Sequence, residues 1–403
     1  MQIPRHFPAL LALIFLALQA GPALAQSGPT SQIKVISGLL PAGRDAETGW
    51  PMLFLATRWG LMRAGPDGVS ELQGAPAFGL SGMAADPSDP ARILAAGFTR
   101  EGRSPVLLQS RDRAASWERL PDPGVALRAL TFSPSDPKRV YAIGKDLMFS
   151  GDGGRTWRRQ GALPGDTFTL AVSGEKGETL YAATMKGLMQ STDEGTSWAR
   201  AYPDEAPATM VHARSDGQLT AFIFGKGLVR SDDGGASWRL LNDAFGNRYV
   251  LNYLPDAENP QRILLTTDSA GILLSRDGGT SWTSYEGSQR DSPENIARGK
   301  ALFASTCQAC HGIGGIGEAP DDPDARDEFG FKAPALNDDA HAWHHDDRGL
   351  MATIRLGSPN NKRMVAFGEI LSETDIADIV TYLKSTWSLN SLACQGSRHM
   401  NCQ

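Results

Sequence analysis

"SGDGGRTW" spans residues 150–157, and its frame returns as "SRDRAASW" at 110–117, "STDEGTSW" at 191–198, "SDDGGASW" at 231–238 and "SRDGGTSW" at 275–282. The shared pattern is S-x-D-x-G-x-[S/T]-W, with Ala114 where the other copies carry glycine. The tryptophans fall at 117, 157, 198, 238 and 282, about 40 residues apart. A worn sixth copy, "GLMRAGPDG", begins at Gly60. The chemistry is that of a tight turn: an Asp side chain accepts backbone N–H bonds across it, and glycine supplies a positive φ. The tryptophan that follows brings a large area to bury between neighbours. A second marker runs in step. "DPSDPARILAA", "SPSDPKRVYAI" and "DAENPQRILLT" each join a proline turn to a β-rich run ahead of the next Trp motif. Each unit therefore reads as four short antiparallel strands, the content and period of a β-propeller blade. The pattern predicts about six blades between residues 33 and 285, with "QIKVISG" (32–38) taking part in ring closure.

This motif resembles the Asp-box (BNR) repeat of sialidases, sortilin-type propellers and photosystem II assembly factors. The resemblance covers most of residues 50–285. It implies fold rather than activity, because Asp boxes are structural turns. A sialidase also needs three convergent arginines and a Tyr/Glu pair, and no ordered set of these is present. The expectation is a rigid disc that binds a protein, a sugar or a small substrate; fold alone does not choose among these.

The ends and the charge narrow the setting. Arg5 and His6 precede the apolar run "PALLALIFLAL", which exits through "GPALAQ". A charged start, a short apolar core and a small-x-small exit predict a secretory signal peptide over residues 1–25, cleaved after Ala25. The run is well short of the roughly 20 residues of a spanning helix, and no later segment is long and apolar enough to span a bilayer. The chain is expected to be exported, most simply to a bacterial periplasm. Net charge is −6, so nucleic acid and anionic membrane surfaces are poor partners.

After Trp282 the repeat stops. Residues 286–292 read as a linker; Ser292, Pro293 and Glu294 then open a helix, "PENIARGKALFAST", that runs into "CQACHG" at 307–312. Two thiols two residues apart can each add to a haem vinyl group, and the histidine behind them lies under the iron. A thioredoxin-like redox pair would need a βαβ setting, and a zinc site would need a second ligand pair nearby. Near the other end, Ser372 with Asp375 forms a capping box for "LSETDIADIVTYLKSTW", whose Ile376, Ile379, Leu383 and Trp387 share one face. A shorter helix is expected over "RGLMATIRLG".

"ARGKALFASTCQACHG", followed later by "RMVAFGEILSETDIADIVTYLKSTW", resembles class I cytochrome c over residues 295–388. The fold class implied is multidomain: an all-β propeller (26–285), then a small all-α cytochrome c domain (293–390). The resemblance implies one covalent haem c, with Cys307 and Cys310 as thioether positions, His311 as proximal ligand and Met364 as distal ligand. Met351 is the rival sulfur, but its helical, apolar setting reads as core. Gly299, Phe303 and Tyr382 match the crossing of the first and last helices. His/Met ligation implies outer-sphere electron transfer.

Other features are weaker. His341, His344 and His345 could bind copper or zinc, but more simply flank an aromatic at the haem edge. Asp321, Asp322, Asp324 and Asp327 lie in a long acidic loop whose spacing fits no EF-hand, and a solvated loop is expected. Cys394 and Cys402, in the tail 391–403, are a disulfide candidate in an exported chain; free thiols or a partner bond are the alternatives. From Asp291 onward there are 16 acidic and 10 basic side chains, which favours a redox partner with a basic docking surface. The leading function is one-electron transfer with the propeller as docking module. The alternatives are a propeller–cytochrome oxidoreductase acting on a small substrate, and a redox-sensing assembly factor. An electron-transfer protein is expected over a catalyst, and no catalytic residue is named.

Overall fold

The computed structural model describes residues 27–402 apart from 74–77, 100, 102–103, 175–177, 323–324 and 340. The expected signal peptide and Asp324 lie outside the described residues, as do the side chains of His341 and Asn401.

Six antiparallel sheets stand in sequence order between Ser27 and Ser284. Five have four strands; the first has a fifth, because Ser27–Pro29 pairs outside Val69–Leu72. Each sheet meanders outward, so its first strand in chain order is innermost (the second strand in the first sheet). The six inner strands are Gly38–Arg44, Phe78–Ala85, Arg128–Phe132, Thr167–Ser173, Ala208–Ala213 and Val250–Pro255. Together they line one central channel.

The Asp-box turn shows why the motif repeats. Asp152 accepts the Thr156 N–H at 2.8 Å and its hydroxyl at 2.6 Å. Ser150 donates to Asp152 at 2.8 Å and accepts the Gly154 N–H at 2.8 Å. Asp112, Asp193, Asp233 and Asp277 bind the Ser at the matching position in the same way. The motif glycines Gly154, Gly195, Gly235 and Gly279 have φ of 94°, 84°, 96° and 100°. Ala114 is forced to φ 68° at the equivalent place, which an L side chain disfavours. The tryptophans bridge blades: the Trp198 and Trp238 indole N–H groups donate to the carbonyls of Ala162 and Ala201 in the preceding blade, at 3.1 and 3.0 Å.

A ring of side-chain-to-backbone bonds ties the inner strands together. Ser37 donates to Leu80 O, Ser81 to Leu127 O, Arg128 to Thr167 O, and Thr209 to Val250 O. Thr169 accepts from Val211 N. Asn252 closes the circle by donating to Ile36 O at 3.0 Å. The ring therefore closes between sheets six and one through side chains. In four-stranded sheets with no shared closing strand, such links satisfy polar groups at inner edges that lack a ladder partner.

Helices follow: α1 (Pro293–Thr306), α2 (Gln308–His311), α3 (Asp347–Leu356), α4 (Glu373–Ser385) and α5 (Leu389–Ala393). Ser292 caps α1 by accepting from Asn295 N, with Pro293 in the first turn, and Ser372 with Asp375 forms the capping box of α4. α1 crosses α4 at Gly299, where a Cβ would run into the Asp378 carbonyl. Phe303 and Tyr382 pack beside the crossing, ring centroids 5.5 Å apart. Among the described residues no helix is long and apolar enough to cross a membrane.

The helical domain is fastened to the propeller. Phe303, Ile379 and Leu392 share one apolar core with Leu265, Leu273 and Trp282. A buried polar knot sits beside it. Glu286 accepts from Thr30 and from Arg398, the latter at 2.5 Å. Lys384 donates to Glu286 O at 2.6 Å and to Asp347 at 2.9 Å. The tail holds both sides: Ser397 donates to Ser31 O at 2.6 Å, Lys34 to Ser397 O at 2.9 Å, and Ser269 to Ala393 O at 2.8 Å. A Cys394–Cys402 disulfide closes this tail. Burial alone would push the Glu286 carboxyl up, but Arg398, Thr30 and Lys384 outweigh it and hold it below the usual range.

Candidate functional site

Cys307 ends α1, and α2 is a single turn that carries Cys310 and His311. The turn is compact because the Cys310 and His311 N–H groups both donate to Cys307 O, at 3.2 and 2.9 Å. Both cysteines are free thiols. Burial, then the neighbouring Cys310, pushes the Cys307 thiol up to about 11.

His311 donates from Nδ1 to the Pro334 carbonyl at 2.9 Å. A carbonyl can only accept, so the proton sits on Nδ1 and leaves Nε2 with its lone pair. Burial holds the imidazole below its ordinary pKa and so in the neutral form. That is the form that ligates a metal.

These three residues and Met364 line one cavity of about 290 Å³. Its other walls are mostly apolar and include Phe303, Leu336, Leu350, Ile354, Phe367 and Leu383. Met364 lies in a turn fastened at both ends: Ser358 N donates to Met364 O at 2.9 Å, and Met364 N to Asn361 O at 3.1 Å. Met351, the rival sulfur, lines a separate cavity between the two domains. The donor set is two thiols, a neutral imidazole and a thioether around an apolar slot, and it fits a c-type haem. Residues not singled out from the sequence also matter here. Pro334 orients His311, and Arg363 and Asn361 line the same cavity. The proline in "FKAPAL" and the basic neighbour of Met364 were the available signals.

The remaining candidates separate. Trp343 donates to Asp338 O at 3.3 Å. His344 stacks on His399 of the tail, 4.3 Å between centroids at 13°, while His345 lines the haem-type cavity. Among the described residues no three His, Cys, Asp or Glu side chains are grouped to hold a metal ion. The acidic loop folds into a short hairpin, Arg326–Asp327 with Gly330–Phe331. Asp327 and Glu318 bind Arg363 rather than only solvent.

Residues 294–383 match the family model described as "Cytochrome C oxidase, cbb3-type, subunit III". The chain is 36% identical over 95 residues to the cbb3-type cytochrome c oxidase subunit FixP of Azorhizobium caulinodans, covering 22% of this chain and 28% of that protein. It is 32% identical over 158 residues to a xyloglucanase of Paenibacillus sp., covering 34% of this chain and 15% of that protein. Among solved structures, the GH74 xyloglucanase from Xanthomonas campestris aligns at 20% identity and a TM-score of 0.44, covering 64% of this chain and 46% of that one. The chain thus spans well under a third of the length of these curated relatives. With the donor set above, the match makes the helical region behind the six-bladed propeller a cytochrome c-type domain.

Proposed function

We propose that the chain is an exported c-type cytochrome that passes single electrons through one covalently held, His311/Met364-ligated haem, with the propeller as its docking module. The observation that carries this reading is the convergence of Cys307, Cys310, His311 and Met364 on one apolar cavity. Cys307 and Cys310 would hold the group by thioether bonds, and His311 and Met364 would ligate its iron. When bound, the group supplies a reversible one-electron couple. The chain's own residues do the rest. Pro334 fixes the His311 ring, and the apolar walls exclude water, which favours the less charged state of the site.

The domain boundaries proposed are those of the sequence, with 293–390 as the electron carrier. Exposed apolar side chains sit close in sequence to cavity-lining residues: Ile313, Ile316, Val365 and Ile370 are exposed by 75, 47, 55 and 72%. A partner would press against these side chains, and the acidic surplus of the domain would steer a basic surface toward them. A second reading is supported by the central channel, a cavity of about 520 Å³. Its lining includes His212, which burial, then Arg214, pushes down to about 4, and which packs tilted against Tyr253, ring centroids 5.3 Å apart. A neutral imidazole in a channel of this size suits a small substrate whose electrons pass to the cytochrome domain.

The test is direct. Protein purified from a periplasmic, haem-supplied host is denatured and probed for haem that stays with the polypeptide. Retention in the wild type and its loss in the Cys307→Ala/Cys310→Ala double variant support covalent attachment; haem released from the wild type contradicts it. Reduction of the protein by a panel of neutral sugars and alcohols, lost in His212→Leu, would favour the second reading.

A further inference from the structure

The acidic loop is stitched to the turn that carries Met364. Arg363 is adjacent to Met364, lines the same cavity, and is bound from one side by Glu318 at 2.7 Å and by Asp327. Its side chain and theirs are 23, 32 and 33% exposed, so the cluster is half-sheltered. Glu318 is held in place in turn: its carboxylate accepts from Ala333 N at 3.2 Å, and its own N–H donates to Ala333 O at 2.9 Å. The Ala333 N–H most of all, then Arg363, holds the Glu318 carboxyl below its ordinary range. A third stitch is Asn361, whose side chain donates to Phe331 O at 2.7 Å while accepting from Arg363 N at 3.1 Å. The far end of the same loop carries the Pro334 carbonyl that orients His311. One loop therefore touches the supports of both sulfur and imidazole sides of the cavity.

We infer that residues 316–322 and 325–334 form a strap and that Arg363, clamped by Glu318 and Asp327, is a positioning residue that keeps the Met364 turn closed over the cavity. The inference rests on the assignment of His311 and Met364 as axial ligands. In the turn 358–364 only Pro359 and Met364 are apolar, and loops open locally at low cost unless tied. The strap supplies the tie through charge. Half-exposed ion pairs weaken with salt, so the clamp predicts a ligand turn whose opening depends on ionic strength.

The experiment uses the full-length, haem-loaded protein and imidazole as the probe, because imidazole enters only when the distal sulfur leaves. The far-red absorption band that reports a methionine–iron bond is followed during titration. Arg363→Gln and the double variant Glu318→Gln/Asp327→Asn should keep the band without imidazole but bind imidazole about five- to tenfold more tightly, the scale of two networked pairs. Imidazole affinity of the wild type should rise with ionic strength, and that of the variants should not. Arg363→Lys should restore part of the wild-type behaviour. Arg355→Gln, which breaks a pair with Glu373 elsewhere in the domain, should titrate like the wild type. If the wild type has the band and Met364→Ala loses it, yet the clamp variants bind imidazole within twofold of the wild type, the strap is wrong and the ligand assignment stands. If the wild type lacks the band, or Met364→Ala keeps it, the ligand assignment fails and takes the strap with it.

Discussion

The propeller and the cytochrome domain are specified in opposite ways. The propeller repeats one local solution: five Asp boxes make the same turn with the same bonds, and a circle of similar links joins the inner strands. The cytochrome domain uses each contact once. Gly299 is its only described crossing glycine at α1 and α4, and the buried Asp378 receives both Arg290 and Arg298. Repetition spreads an error over many equivalent supports, whereas a singular contact has no substitute. The two regions should therefore answer mutation very differently.

The largest effect is expected at the helix crossing. Gly299→Val drives a side chain into the Asp378 carbonyl and should cost more than about 3 kcal/mol. Calorimetry should show the transition of the helical domain collapsing while that of the propeller persists. A single joint transition, shifted as a whole, would mean that the two regions do not differ as described.

The knot between them comes next. Glu286→Gln leaves Arg398 buried without its charge partner and should destabilise the joined domains by about 3 kcal/mol. The Glu286 carboxyl is depressed in the folded protein. Its contribution is thus complete above the unfolded value near 4.3 and is lost as pH falls below it. The gap between wild type and Glu286→Gln in thermal unfolding should narrow on acidification. The Asp boxes follow the same sign: the Ser197 and Ser237 hydroxyls and N–H groups hold Asp193 and Asp233 at about 2, so the propeller should lose stability between about pH 4 and pH 2.

The smallest effect tests redundancy itself. Ala114→Gly relieves the one motif copy that lacks glycine at this position, where Ala114 holds a φ of 68°, and should stabilise the propeller by about 0.5–1 kcal/mol. Chemical denaturation would register it as a raised midpoint with an unchanged slope. A lowered midpoint would show that burial of the Ala114 methyl outweighs the backbone strain.

What could be read from the sequence follows the same division. The blades were legible because an Asp-box turn is closed by residues within four positions of its Asp, as Asp152 and Thr156 are. The helix starts at Ser292 and Ser372 were legible for the same reason. Contacts between distant segments were not. The first sheet's extra strand pairs Ser27 with Glu71, and no local pattern marks it. The Glu286 knot joins positions 256 and 112 residues apart, Thr30 and Arg398. The acidic loop read as solvated, because its partner Arg363 lies 45 residues beyond Glu318. Around the cavity, the CxxCH spacing and "RMVAFG" pointed to Cys307, Cys310, His311 and Met364. The Pro334 carbonyl that sets the His311 tautomer was marked only by the proline of "FKAPAL", 23 residues from its partner.

On the proposed assignment, one polypeptide brings two thiols, an imidazole and a thioether to a single haem. The most direct test of this assignment is the absorption spectrum of the oxidised, purified protein, compared with that of Met364→Ala. The wild type should give a low-spin spectrum with the weak far-red methionine–iron band, and the variant should lose that band. A wild-type spectrum without the band, or a band that survives the substitution, would contradict it.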